Sequence, residues 1–378
     1  MYDKILLFPY WMTLKLRNAM YDHGIRRQHE AEVPTICVGN VTVGGTGKTP
    51  HTEMILRLLL SDEKWAYRNI AVLSRGYKRE SKGFQQVVPT GKASFYGDEP
   101  LQIKKKFPAV TVALDSDRVR GCDYLCHPDK VRTLRKTRRC VDKNIPKADV
   151  IVLDDAFQYR SLKPTLSIVL IDYERPVFSD HLLPLGGLRD LPERVYDADI
   201  VIVTKCDRYM TDWDKTVWAD SVGIRDYSIR DCEGTGRRGR KQKLFFTYID
   251  YLQPAPVYEE CDPRYIYART AVLFTGIAKD TPLRRYLSDN YKLVEKFSFG
   301  DHHKFSKRDV RAIQDAATRH STAAIITTEK DASRITDFDR MPLMMKQRMF
   351  MVPIQVVFLS DHDKELFGSA VLSAITGR

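Results

Sequence analysis

No stretch of the chain reaches about 18 consecutive apolar residues, so a membrane-spanning helix is not expected. Cysteine is scarce: seven in 378 residues, an odd number without dense spacing. That excludes a disulfide scaffold and fits a reducing compartment. The tightest group, CDYLCH at Cys122, Cys126 and His127, lacks a matching second half. Its spacing puts both thiols on one buried helix face, so no structural metal is expected there. Internal repeats and low-complexity tracts are missing, as is the small-residue cleavage signal of a secretory peptide.

Hydrophobic residues make up 43% and charged residues 29%, which rules out wholesale disorder and supplies a core. The length suits two domains better than three. With 61 basic against 49 acidic residues the net charge is +12, favouring a phosphorylated or anionic partner without choosing among nucleotide, nucleic acid and lipid. The N-terminal stretch mixes Leu6, Leu7, Phe8, Tyr10, Trp11, Leu14 and Leu16 with Lys4, Lys15, Arg17, Arg26 and Arg27. Such a segment either lies in a headgroup layer or packs its apolar face on the protein's own core.

Thr35 to Asn40 reads as a short buried strand entering a glycine-rich turn, followed by a helix over about 50–60. Further apolar runs at 70–73, 110–114, 150–153, 168–171 and 200–203 alternate with polar, helix-forming intervals. The pattern predicts an α/β fold of the P-loop nucleoside triphosphate hydrolase type, a mostly parallel sheet flanked by helices. Runs at 271–278, 323–331 and 352–359 suggest a second, smaller α/β unit. The expected division is an N-terminal amphipathic segment 1–30, a core 31–230, a basic and proline-rich linker or pair of joining strands 231–268, and a smaller domain 269–378.

GNVTVGGTGKTP, residues 39–50, carries the strongest chemical signal. Gly44, Gly45 and Gly47 permit a tight backbone path around Thr46, Lys48 reaches β/γ phosphates, and the Thr49 hydroxyl suits magnesium. A helix N-terminus and convergent N–H groups stabilise phosphate charge. The first glycine of the usual spacing is Thr42. VIVLDDAFQ, residues 150–158, ends a strand in Asp154 and Asp155. Asp154 is the expected direct or water-mediated metal ligand, with Asp155 beside it in an electrostatic or substrate-orienting role, because neighbours on a strand face opposite ways. ATP or GTP with Mg2+ follows, without separating hydrolysis from transfer.

With SRGYKRE, YGDEP, LDDAFQYRSL, HLLPLGGLRD, VTKCD, FGDHHKF and TTEKDASR in the same order, the chain resembles the tetraacyldisaccharide 4′-kinase family of lipid A biosynthesis. The signatures run from about residue 35 to 334. The resemblance implies ATP-dependent phosphorylation of the 4′-hydroxyl of tetraacyldisaccharide 1-phosphate by a peripheral enzyme at the cytoplasmic face of the inner membrane. It implies Asp98 as catalytic base, His302 as the partner that tunes it, and Glu99 as an aid to magnesium. It also implies Arg189 as a cation that offsets charge on the transferring phosphoryl, with Arg75 a weaker candidate. Ala156 and Tyr159 depart from the common DDGFQH.

Basic runs at 130–147 and 237–243 are candidate contacts for anionic lipid or simply solvated faces. VTKCD superficially matches the base-reading segment of a GTPase, so a cytosolic GTPase is a separate reading. A nucleic-acid-binding module is another, but no reading motif accompanies the basic runs, and nucleic acid is not expected. Nor is an obligate protein partner.

Overall fold

The computed structural model describes residues 2–133, 142–301, 303–338 and 340–377. Sixteen strands are present among them: β1 Thr35–Gly39, β2 Ile70–Ser74, β3 Gln85–Gln86, β4 Thr111–Leu114, β5 Val150–Asp154, β6 Leu166–Asp172, β7 Ile200–Thr204, β8 Arg225–Ser228, β9 Glu233–Thr235, β10 Lys241–Tyr251, β11 Ala255–Pro256, β12 Thr270–Thr275, β13 Lys292–Ser298, β14 Ala324–Thr328, β15 Met349–Val352 and β16 Ile354–Phe358. The larger sheet runs β3-β4-β2-β5-β1-β6-β7-β10-β9-β8, with β16 also on β10. Its centre, from β4 to β10, is parallel, and the antiparallel pairs lie at the ends and at β16. Every residue of β1, β2, β4, β5, β6 and β7 is buried, as near-continuous apolar runs covered on both faces should be.

One face of that sheet packs on helices Lys48–Ser61, Asp98–Lys106 and Asp361–Thr376, through Ile55, Leu56, Leu101, Phe367 and Val371. The other carries the N-terminal helix Tyr2–Asp22 and helices Arg118–Cys126 and Asp212–Ser221, through Leu7, Leu14, Cys122, Leu125 and Ala219. Cys122 and Cys126 are buried packing residues with free thiols. Among the described residues no group of three or more His, Cys, Asp or Glu is arranged to hold a metal ion.

The smaller sheet runs β11-β15-β14-β12-β13 and forms a second α/β unit with its own core around Val272, Phe274, Ile313 and Ile325. Chain order and sheet membership differ at the C-terminus. After β15 the chain returns, and β16 pairs antiparallel with β10 of the larger sheet, Thr247 opposite Phe358. Phe367 then meets Phe245 edge to face at 5.5 Å, fixing the last helix to the larger sheet. Truncating Phe367 to alanine there costs about 3–5 kcal/mol. An apolar run such as 352–359 states that it is buried but not in which sheet. The segment after residue 231 likewise supplies β9, the long β10 and β11, so it builds both sheets as it passes between them.

Candidate active site

The turn from β1 into helix Lys48–Ser61 has Gly44, Gly45 and Gly47 at φ of 69°, 58° and 81°. Only glycine enters that region without strain, so the sequence dictates the loop's path. Gly47 caps the helix with no side-chain hydrogen bond, and the first turn holds no acidic residue. The first N–H groups of a helix have no intrahelical acceptor and carry partial positive charge, so this end suits an anion. The loop is braced from several sides. Asn40 Nδ2 donates to Thr42 Oγ1 (3.2 Å) and Thr46 Oγ1 (2.6 Å). Val43 N donates to Gly187 O at 2.7 Å, and Thr204 Oγ1 donates to Thr46 O at 3.1 Å. HLLPLGGLRD and VTKCD thus serve as supports of the phosphate loop.

At the end of β5, Asp154 is 2% exposed and accepts Ser74 Oγ at 3.1 Å and Thr52 Oγ1 at 3.4 Å. Thr49, three residues before Thr52, is buried in the first turn of the same helix. Burial first, then the charges of Glu99 and Asp155, push the Asp154 carboxyl up to about 6. Asp155 follows with φ of 50°, which turns its side chain away from that of Asp154. Arg189 grips it with both Nη atoms, Nη1 to Oδ2 at 3.1 Å, and also donates to Asn40 Oδ1 at 2.6 Å. Lys48 Nζ is 3.8 Å from Asp155 Oδ1. Burial favours the neutral acid, but the Lys48 charge and the Arg189 hydrogen bonds outweigh it and leave the Asp155 carboxyl below its ordinary value. Lys48, Asp154, Asp155 and Arg189 are therefore brought together at the end of β5.

Asp98 opens helix Asp98–Lys106 after Gly97, whose φ of 96° makes the sharp entry. It faces the smaller lobe, where Arg334 Nε donates to Oδ2 at 2.9 Å. Lys330 Nζ lies 3.1 Å from Glu99 Oε1 and 3.9 Å from Asp301 Oδ1, joining YGDEP, FGDHHKF and TTEKDASR. His302 itself lies outside the described residues, as do 134–141 of the basic run. In the other run, Arg238 pairs with Asp197 at 2.8 Å, and Lys241 and Lys243 lie near Glu233. Arg75, at the end of β2, is exposed.

The sequence reading missed several residues. Arg118, 2% exposed, donates to Asp154 O at 3.3 Å beneath the acidic pair. His51 is fully buried under the phosphate loop. Lys330 and Arg334 were visible only as part of a signature, with no role attached. Tyr159 donates to Asp117 Oδ1 at 3.0 Å, so the residue that replaces the common histidine buttresses helix Arg118–Cys126.

The N-terminal helix is docked on the same loop that carries Arg189. Tyr10 OH donates to Arg189 O at 3.0 Å, and Arg17 and Asn18 bind Asp190 at 2.9 and 3.2 Å. Leu7 and Leu14 are buried, while Phe8, Met12 and Leu16, spaced by four, are 53%, 44% and 61% exposed. Among the described residues no helix is long and apolar enough to cross a membrane.

A strand, a glycine loop opening a helix and a carboxylate pair on the adjacent parallel strand define a P-loop enzyme acting on a nucleoside triphosphate. The profile of the family described as Tetraacyldisaccharide-1-P 4′-kinase matches residues 4–375, and the chain belongs to that family. It is 38% identical to the tetraacyldisaccharide 4′-kinase of Phocaeicola vulgatus, covering 94% of this chain and 90% of the relative. Identity to the enzyme of the same name is 37% in Parabacteroides distasonis, over 95% and 90% of the two chains. In Flavobacterium johnsoniae it is 35%, over 94% and 93%. The fold matches a crystal structure of the "apo" form of LpxK from Aquifex aeolicus in complex with ATP, with a TM-score of 0.69 and 24% identity, over 99% of this chain and 100% of that one.

Proposed function

We infer that the chain transfers the γ-phosphoryl group of ATP to the 4′-hydroxyl of tetraacyldisaccharide 1-phosphate, forming the bis-phosphorylated lipid A precursor. One observation supports the reading within the family: the helix that opens with Asp98 and Glu99 packs on the helix of the glycine loop, where Gln102 Nε2 donates to Glu53 Oε1 at 3.0 Å and Lys106 Nζ lies 2.7 Å from Glu53 Oε2. An acceptor hydroxyl near Asp98 would then face the terminal phosphate.

In this reading Gly44, Gly45, Thr46 and Gly47 hold the phosphates through backbone N–H groups, and Lys48 reaches the β/γ oxygens. Arg189, anchored by Asp155, offsets charge on the transferring group. Asp98 orients the 4′-hydroxyl and takes its proton as the new O–P bond forms and the bond to ADP breaks. His302 tunes Asp98. Thr49, Asp154 and Glu99 offer an oxygen-only donor set in which burial first, and then the Glu99 charge, raise the Asp154 carboxyl above its ordinary value, and that set fits magnesium. A magnesium ion held there supplies charge neutralisation at the phosphate oxygens. The exposed face of the N-terminal helix rests in the headgroup layer of anionic lipids at the cytoplasmic side of the inner membrane, a peripheral attachment.

The test mixes purified protein with the acylated disaccharide 1-phosphate and either Mg-ATP or Mg-GTP, and reads phosphate on the sugar by mass spectrometry. Transfer from ATP is expected. GTP hydrolysis without lipid phosphorylation would overturn the assignment in favour of a GTPase. Asp98→Asn should abolish most transfer while leaving ATP binding intact; an unchanged rate removes Asp98 from its role.

A further inference from the structure

Helix Glu329–Ile335 of the smaller lobe lies against helix Asp98–Lys106 of the larger one, and charged groups meet across the join. Glu329 pairs with Lys106 at 2.9 Å, Lys330 with Glu99 at 3.1 Å, and Arg334 with Asp98. Arg334 is nearly as buried as Glu329, their side chains 9% and 8% exposed against 23% for Lys330, and its partner Asp98 is 12% exposed. Two of its nitrogens, Nε and Nη2, donate to Asp98 Oδ2. The third, Nη1, donates to Gly276 O at 3.0 Å and Asp331 Oδ1 at 2.9 Å.

Those acceptors are themselves fixed. Asp331 is fully buried and accepts Gly276 N at 2.9 Å and Thr328 Oγ1 at 2.7 Å. The guanidinium therefore cannot swing with Asp98; it sets where Oδ2 sits. The other oxygen, Oδ1, accepts Glu99 N at 3.1 Å within the same turn. A rigid planar fork anchored in one lobe thus holds a carboxylate rooted in the other, which a flexible ammonium does less well.

We propose that Arg334 is a positioning residue for phosphoryl transfer: from the smaller lobe it fixes the Asp98 carboxylate, so that alignment of the acceptor hydroxyl requires the lobes to be docked. The proposal rests on the reading of Asp98 as the group that orients that hydroxyl. A displacement of about 1 Å at such a group costs about 10²-fold in rate without any change in nucleotide contacts.

The experiment measures kcat, KM for ATP and the unfolding midpoint of the full chain with the lipid acceptor, for Arg334→Met, Arg334→Lys, Asp98→Asn and the Asp98→Asn/Arg334→Met pair. Arg334→Met should lower kcat about 10²-fold with KM for ATP unchanged, and Arg334→Lys should recover about a tenth of the wild-type rate. On the Asp98→Asn background Arg334→Met should have no further effect, since nothing remains to be positioned. Equal losses on both backgrounds, or a wild-type kcat for Arg334→Met, would overturn the proposal. Should Arg334→Met fail to fold, Arg334→Lys decides: a lowered kcat at wild-type KM and midpoint supports it, and a wild-type kcat sinks it. A wild-type rate for Asp98→Asn would instead remove the Asp98 reading, a result distinct from a slow Asp98→Asn with an unaffected Arg334→Met.

Discussion

His51 ties the phosphate loop to the sheet behind it: Nδ1 lies 2.7 Å from Gly47 O, and Nε2 lies 3.1 Å from Thr247 Oγ1 on β10. Burial pushes the imidazole down to about 4, against the opposing pull of the Gly47 carbonyl, so the ring is neutral. A carbonyl only accepts, so Nδ1 carries the hydrogen and Nε2 accepts from the threonine hydroxyl. The bond holds the carbonyl of Gly47, the residue whose left-handed turn opens the helix.

Substitution at His51 should therefore act on nucleotide binding. Asparagine places a donor near the position of Nδ1 and keeps the Gly47 contact, whereas glutamine reaches toward Thr247 and valine replaces neither bond. Losing one buried hydrogen bond costs about 1–3 kcal/mol, so KM for ATP should rise about tenfold in His51→Gln and His51→Val but little in His51→Asn. Steady-state kinetics with varied ATP check the order. Equal KM values in all three would show that the imidazole only fills space.

What could be read in advance follows from the range of the interaction. The glycine loop was legible because φ preference is local, and the parallel sheet because burial on both faces leaves continuous apolar runs. Asp154 and Asp155 stood out as a carboxylate pair ending such a run. His51 did not, because its meaning depends on Thr247, 196 residues further on. Arg334 depends on Asp98, 236 residues away, and its motif carries no sign of which lobe it will face. The same blindness applies to β16: nothing in IQVVF distinguishes β10 as its partner from β15.

Asp154 links function to a pH-dependent cost. Its carboxyl is raised from 3.8 to about 6, chiefly by burial, so between those values the folded chain holds a proton that the unfolded chain has lost. Stability of the ligand-free protein should then fall as pH rises from about 4 to about 6 and stay level above, by on the order of 3 kcal/mol. Asp154→Asn removes the buried charge, and the Ser74 and Thr52 hydroxyls can rotate to suit the amide. Urea midpoints without nucleotide or metal should be higher than wild type at pH 7.5 and close to it at pH 4, while transfer is lost. A variant less stable than wild type at pH 7.5 would contradict this account.

Arg189 acts at one remove from the helix, through a fork on Asp155 and a bond to Asn40. Lysine cannot span both acceptors, so Arg189→Lys should lower kcat by about 10²-fold, the usual cost of losing an oriented charge-stabilising donor. Because Lys48 remains beside Asp155, ATP binding should weaken far less than kcat. Rapid-quench measurement of a single turnover separates chemistry from product release, and an unaltered single-turnover rate would move Arg189 from the reaction to the scaffold.

The N-terminal helix presents two distinct faces. Leu7 and Leu14 hold it to the core, while Tyr10, Arg17 and Asn18 fasten it to the loop of Arg189 and Asp190. Phe8, Met12 and Leu16 point away from those contacts, and Lys15 lies 4.6 Å over the Trp11 ring at the edge of the exposed stripe. Phe8→Ser with Leu16→Ser should leave the unfolding midpoint unchanged, because neither residue is buried. Partition into vesicles of anionic phospholipid should fall about 10²-fold, as each large apolar side chain contributes about 1.5–3 kcal/mol when fully withdrawn from water. Added salt should weaken wild-type binding only in part, since screening acts on the basic residues and leaves the apolar contribution in place. Sedimentation with vesicles of matched charge checks both effects, and a double variant that binds as tightly as wild type would show that this stripe does not enter the bilayer.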